Sequence, residues 1–304
     1  AFARLAHEEL IVHHLSMRSA KMHAKRFQSP VFTPKKTKVK AFLATLPFSL
    51  TKAQLRVIEE IQVDCATPEP MLRLLQGDVG SGKTLVAAVT ALVAIKNGYQ
   101  VALMVPTELL AEQHCRNFTN WFLSFDVRIL FLTGQLKGKA RAEGLKALAA
   151  GQIDLVIGTH ALFQEQVQFK KLGLTIVDEQ HRFGVHQRLA LRDKGRHQTR
   201  KGDELYPHQL VMTATPIPRT LAMINYADLD VSIIDELPPH RTPVITLVIP
   251  AQRRDEVIKR IIKWVTDKKQ VYWVCTLIED SEVLQGEAAI ATCELLTQKL
   301  PNVS

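Results

Sequence analysis

From Leu46 to about Asp235, short apolar runs alternate with longer stretches whose apolar residues recur at helical spacing. The runs Met71–Gln76, Val101–Val105, Arg128–Leu132, Leu155–Gly158, Leu174–Val177 and Gln209–Thr213 predict strands. Stretches such as Leu85–Lys96 and Leu109–Phe122 predict helices between them. Strands that are apolar almost throughout must be covered on both faces, which implies a parallel sheet flanked by helices. Ligands of such α/β folds sit beyond the carboxyl ends of the strands.

Upstream, Phe2, Leu5, Leu10, Val12, Leu15 and Met17 mark a helix over Phe2–Phe27. Ser29-Pro30 and Thr33-Pro34 break it, and Lys35, Lys36, Lys38 and Lys40 then read as a solvated linker. After Leu237-Pro238-Pro239 the alternation restarts, predicting strands at Val244–Ile249 and Val271–Ile278 and helices at Arg254–Val265 and Glu282–Leu300. The expected organisation is therefore a helical linker over 1–45, an α/β domain over 46–237, and the beginning of a second α/β domain over 238–304. The second is too short to be complete by itself.

Charge and composition add modest constraints. Thirty-nine basic against 30 acidic side chains give a net charge of +9, which suits a polyanionic partner. The four cysteines have no Cys-x-x-Cys spacing and read as free thiols of a reducing cytoplasm. His7 and His13-His14 lack carboxylate partners and read as helix-surface histidines. No apolar run is long enough to cross a membrane, and no signal peptide opens the chain.

Gly77-Asp78-Val79-Gly80-Ser81-Gly82-Lys83-Thr84 carries the chemistry. It satisfies G-x-x-x-x-G-K-[ST] between a predicted strand and a predicted helix, the order a phosphate loop requires. Glycines let the backbone turn so that its N–H groups face a phosphate, and the helix N-terminus adds partial positive charge. Lys83 would reach the β/γ-phosphates of ATP, and the Thr84 hydroxyl would ligate Mg²⁺. Leu174–Val177 runs into Asp178-Glu179. Two acids at the end of a buried strand are costly unless they meet a cation or a water to activate. Asp178 fits the Mg²⁺ side and Glu179 the water-polarising base.

Asp178-Glu179-Gln180-His181 resembles the D-E-x-H box of superfamily 2 helicases and translocases, whose motor domains are RecA-like. Pro106–Gln113, with Thr107, resembles that family's first DNA-backbone motif. Thr133-Gly134 and Gly158-Thr159-His160 resemble the next two, and Thr213-Ala214-Thr215-Pro216 the motif coupling nucleotide state to strand grip. Donors at strand ends suit phosphate contact without base reading. Phe48, Thr51 and Gln54 stand where the family reads adenine, although Thr51-Lys52-Ala53-Gln54 is equally a helix capping box. His181 is a coupling residue by resemblance and a packed loop histidine otherwise.

Longer strings, GTHALFQEQVQF at 158–169, DEQHRFGVHQRLAL at 178–191 and TATPIPRTL at 213–221, resemble the RecG family. Transcription-repair coupling translocases share TATPIPRTL but usually carry a bulky residue at Ser81 and Glu at Gln180. The resemblance implies a bacterial cytoplasmic DNA translocase, working as a monomer on forks and Holliday junctions. It also implies a strand-splitting wedge before residue 1 and further motor motifs after residue 304, so that these residues alone would hydrolyse ATP poorly. Two other classes stay open: a nucleotide switch that does not move DNA, separated by nucleic-acid-stimulated turnover, and a non-enzymatic DNA-binding fragment, separated by whether ATP analogues alter its DNA affinity.

Overall fold

The computed structural model describes residues 11–12, 15, 27–34, 36–179, 194–195, 197–198, 204–215, 229–236, 244–275 and 288–300. Two compact units divide the chain, Ala1–Arg241 and Thr242–Ser304.

The first unit is built on a seven-stranded parallel sheet. Its elements in chain order are α1 (Lys36–Ala44), α2 (Lys52–Cys65), β1 (Leu72–Gly77), α3 (Lys83–Lys96), β2 (Gln100–Met104), α4 (Glu108–Phe122), β3 (Ile129–Leu132), α5 (Gly138–Ala149), β4 (Leu155–Gly158), β5 (Leu172–Asp178), β6 (His208–Thr213) and β7 (Asp230–Ile234). The strand order is β3-β4-β2-β5-β6-β1-β7. Every residue of β2, β5 and β6 is buried, as continuous apolar composition requires.

Alternation along each strand sends side chains to two separate cores. Leu103, Leu155, Ile157, Leu174 and Ile176 join α3, Phe118 and Phe122 on one face. Ala102, Met104, Val156 and Val177 meet Leu148 and Leu162 on the other. Helix α3 is buried around almost its whole circumference, because its sequence KTLVAAVTALVAIK offers only small or apolar side chains between its ends.

All seven strands run the same way, so their carboxyl ends share one edge. At the opposite edge lies a strap over residues 28–33. Tyr206 N–H donates to the Gln28 carbonyl at 2.8 Å, Ser29 N–H to the Pro68 carbonyl at 2.8 Å, and Phe32 N–H to the Cys65 carbonyl at 2.8 Å. The His208 ring, which begins β6, donates from Nε2 to the Pro30 carbonyl at 2.7 Å, and its Nδ1 accepts the Met71 N–H at 2.9 Å. Thr33 and Asn97 exchange two hydrogen bonds, both 3.1 Å. Phe32 is buried between Tyr99 and His208, with ring centroids 5.5 and 4.8 Å away.

Several expectations change here. Lys36–Lys40 is not a solvated turn but the opening of α1, whose Phe42 is fully buried against Phe122 and Phe125. Val39, between the lysines, and Phe42 and Leu43, just after them, decide that segment. Residues 27–34 and 36–44 thus belong to the sheet unit instead of linking to it. Strand β7 and a short antiparallel pair, His197–Gln198 with Glu204–Leu205, were not predicted. Most of the expected Phe2–Phe27 helix lies outside the described residues.

In the second unit, a 3₁₀ turn at Ala251–Arg253 leads into α6 (Arg254–Thr266), and α7 spans Ala289–Lys299. The predicted helix Arg254–Val265 forms, and α7 occupies the later portion of Glu282–Leu300. Val244–Ile249 is not a strand: Val248 is 97% exposed, and the segment has no ladder partner among the described residues. Val271–Cys275 forms no strand either. β-branched composition favours extension, but a strand exists only when a neighbour accepts its N–H groups.

Candidate active site

β1 ends at Gly77, and the loop that follows turns back through Gly80 (φ 76°) and Gly82 (φ 90°) into α3. Only glycine enters that left-handed region without strain. A Cβ on Gly82 would also stand 2.3 Å from Gln54 Nε2, and one on Gly77 would stand 2.5 Å from Ser81 Oγ. Helix α3 has no side-chain cap. Its first N–H groups, those of Lys83 and Thr84, stand at the loop without intrahelical acceptors.

Lys83 folds along this loop, donating from Nζ to the carbonyls of Gly77 at 2.7 Å and Asp78 at 2.9 Å. Burial pushes its ammonium pKa down, while the charges of Asp178, Glu179 and Asp78 push it back up. The end of β5 lies at the same sheet edge, separated from β1 only by β6. Asp178 is 8% exposed and uses both carboxylate oxygens. Oδ1 accepts the N–H of Glu179 at 3.1 Å, and Oδ2 meets His114 Nε2 at 2.7 Å. Glu179 takes φ 52°, a left-handed turn that ends the strand.

Gln54 holds two partners. Its Oε1 accepts the Thr51 N–H at 2.9 Å while the Thr51 hydroxyl accepts the Gln54 N–H at 3.2 Å, completing the capping box of α2. Its Nε2 donates to the Ser81 carbonyl at 2.7 Å. Gln54 therefore braces the phosphate loop and caps a helix at once. Phe48 lies beside Leu46 and Leu55, 49% exposed.

The remaining candidates lie on the same sheet edge. Thr107 caps α4, its hydroxyl accepting the Leu110 N–H at 3.3 Å. Thr133 is buried, and the Gly134 N–H donates to Glu108 at 3.1 Å. A Cβ on Gly158 would stand 2.1 Å from the Leu132 carbonyl, so sheet packing alone demands glycine there. Thr159 is buried with no partner for its hydroxyl among the described residues, and His160, exposed, begins a 3₁₀ turn. The Thr213 hydroxyl accepts the Thr215 N–H at 3.2 Å. Gln180 and His181 lie outside the described residues.

Sequence reading missed His114. Ala111, His114, Phe118 and Phe122 are the buried residues of α4, one stripe along the helix. A histidine on an otherwise apolar stripe is the signal that could have exposed it, since a buried imidazole needs a partner.

A site of this kind fits magnesium shared with phosphates. Mg²⁺ takes one or two protein oxygens and completes its octahedron with phosphate and water. Thr84, in the first turn of α3, and Asp178 offer those oxygens, and no cluster of three or more His, Cys, Asp or Glu suited to a metal occurs among the described residues. No helix among them is long and apolar enough to cross a membrane.

Comparison with known proteins agrees with this geometry. The family model for the DEAD/DEAH box helicase matches residues 51–224. The ATP-dependent DNA helicase RecG of Escherichia coli K12 is 56% identical over 302 residues, covering 99% of this chain and 43% of that protein. RecG of Pasteurella multocida is 56% identical over 301 residues, with the same two coverages. The structure of RecG bound to a three-way DNA junction superposes with a TM-score of 0.81 at 38% identity, over 98% of this chain and 38% of that one. The chain thus spans 43% of the length of these two curated relatives.

Proposed function

The chain belongs to the DEAD/DEAH box helicase family, and on that premise we propose that it is the nucleotide-binding motor domain of an ATP-dependent DNA helicase of RecG type, acting on branched double-stranded DNA such as forks and Holliday junctions. The observation that carries this reading is the gathering, at one sheet edge, of Lys83 at the start of α3 with Asp178 and Glu179 at the end of β5, beside an uncapped helix N-terminus.

In this reading the loop N–H groups and Lys83 bind the β- and γ-phosphates, with Thr84 and Asp178 as the protein oxygens for Mg²⁺. The metal, when bound, spreads the charge that develops on the transferred phosphoryl group. Glu179 accepts a proton from the attacking water at its carboxylate. Thr107, Gly134, Thr159, His160, Thr213 and Thr215, gathered at the same sheet edge, would meet the DNA backbone or relay its grip, and Phe48 and Gln54 flank the base end of the nucleotide. The junction named in the RecG structure supports branched DNA as the partner class.

The test is made on the intact protein. Lys83→Ala should weaken binding of a fluorescent nucleotide by roughly tenfold or more, the loss of one charge-assisted contact. Glu179→Gln should leave binding near wild type while lowering DNA-stimulated turnover by about 10²-fold or more. Unchanged binding in the first, or turnover within a few-fold of wild type in the second, would remove the corresponding assignment.

A further inference from the structure

Helix α4 touches two functional regions with two polar side chains. At its N-terminal end the Glu108 carboxylate accepts the Gly134 N–H at 3.1 Å and the Gln135 side-chain amide at 2.7 Å. It thereby holds the loop after β3. Six residues further on, roughly 9 Å along the axis, His114 Nε2 meets Asp178 Oδ2 at 2.7 Å. The helix is thus tied at its first residue to a strand-end loop that would face DNA and near its middle to a carboxylate that would face magnesium.

The second contact is not an ordinary filler of the core. His114 is 5% exposed, and its Nδ1 has no partner among the described residues. An ionised carboxylate only accepts, so Nε2 must donate to Asp178. The fold tolerates one unsatisfied buried nitrogen in order to keep the other on that oxygen. With Oδ2 held by His114 and Oδ1 by the Glu179 N–H, the orientation of the Asp178 carboxylate is determined from two sides. Ligands held this way gain affinity from partners that never touch the metal.

We propose that His114 is a positioning residue that sets the Asp178 carboxylate and, through α4 and Glu108, couples it to engagement of the Gly134–Gln135 loop by a DNA backbone. The proposal rests on the function read above. A phosphate backbone gripping that loop bears on Glu108, and α4 is a continuous helix between Glu108 and His114. A shift of its axis reaches Asp178 through a single hydrogen bond. The nucleotide site thereby senses DNA by a route that does not pass through Thr213–Thr215.

Two amide variants separate positioning from mere packing. In His114→Gln the amide nitrogen can occupy the place of Nε2, whereas in His114→Asn it falls at the place of Nδ1. The intact protein, loaded with ADP, is titrated with Mn²⁺ as a spectroscopically visible stand-in for Mg²⁺, with and without duplex DNA. ATPase is measured in parallel. His114→Gln should keep the Mn²⁺ affinity and the DNA-stimulation ratio within about twofold of wild type. His114→Asn should lose about 10-fold or more in Mn²⁺ affinity and most of its DNA stimulation, with metal-free ADP binding retained. Equal behaviour of the two variants overturns the positioning role.

Wild type supplies a reading that needs no variant. Linkage is reciprocal, so duplex DNA must change the Mn²⁺ affinity of the ADP complex, and an unchanged affinity overturns the coupling. If Lys83→Ala retains full nucleotide binding, the functional reading itself fails. If that variant loses binding while His114→Asn matches His114→Gln, only the present inference does.

Discussion

Gln54 and His208 each satisfy two partners with one planar side chain, and in both cases the protein depends on which atom is donor and which acceptor. For His208 the consequence is a pH dependence. Its Nδ1 accepts the Met71 N–H, and Nε2–H donates to Pro30, so the ring must be neutral to make both bonds. Burial lowers its pKa to about 4, with only the Pro30 bond acting upward. The unfolded ring titrates near 6.5 and binds the proton first, so the stabilisation is complete above about pH 6.5 and is lost as the pH falls from there toward 4. The full loss would be about 3 kcal/mol. The urea midpoint of the wild-type protein should therefore fall between pH 7 and pH 5. A His208→Gln variant, weaker at neutral pH, should lose less over the same interval. Parallel decline in the two would place the titration elsewhere.

Among elements, the strap shows how much a short segment can hold. Phe32→Ala removes a fully buried ring from between Tyr99 and His208 and should cost about 3–5 kcal/mol in urea denaturation. Val31→Ala next to it, half exposed, should stay within about 0.5 kcal/mol. Nothing in Ser29-Pro30 or Thr33-Pro34 announced this, because the strap is held by backbone groups and by residues 65, 68, 97, 206 and 208, all far away in sequence. Strands whose side chains are buried on both faces, such as Val101–Met104, were legible because composition alone decides there. Strand β7 was hidden because an edge strand with three exposed positions, DVSII, has no such signature. Val244–Ile249 fails for the opposite reason, having the composition without a neighbour. The phosphate loop and Asp178-Glu179 were legible because chemistry restricts them locally. His114 was not, since its importance lies in a contact 64 residues away.

For the molecule as a whole, two units with unequal internal organisation imply unequal protection. Amides of β2, β5 and β6 lie in ladders buried on both faces, and their exchange with deuterated solvent should require global opening of the first unit. Residues 244–250, without ladder partners among the described residues, should exchange within the first time points. Equal protection of the two segments would mean that 244–250 pairs in solution. On the proposed function, the strap has a further consequence. Tension applied to the chain upstream of Gln28 does not pull on the end of a single strand, where hydrogen bonds would break in succession. It is shared among anchors spread over the ends of α2 and α3 and the starts of β1, β2 and β6, which must yield together. Those anchors stand at the sheet edge opposite Lys83 and Asp178, so a load entering there reaches that site only along the full length of the strands or of α3. The strap makes that edge a mounting and leaves the other free to work.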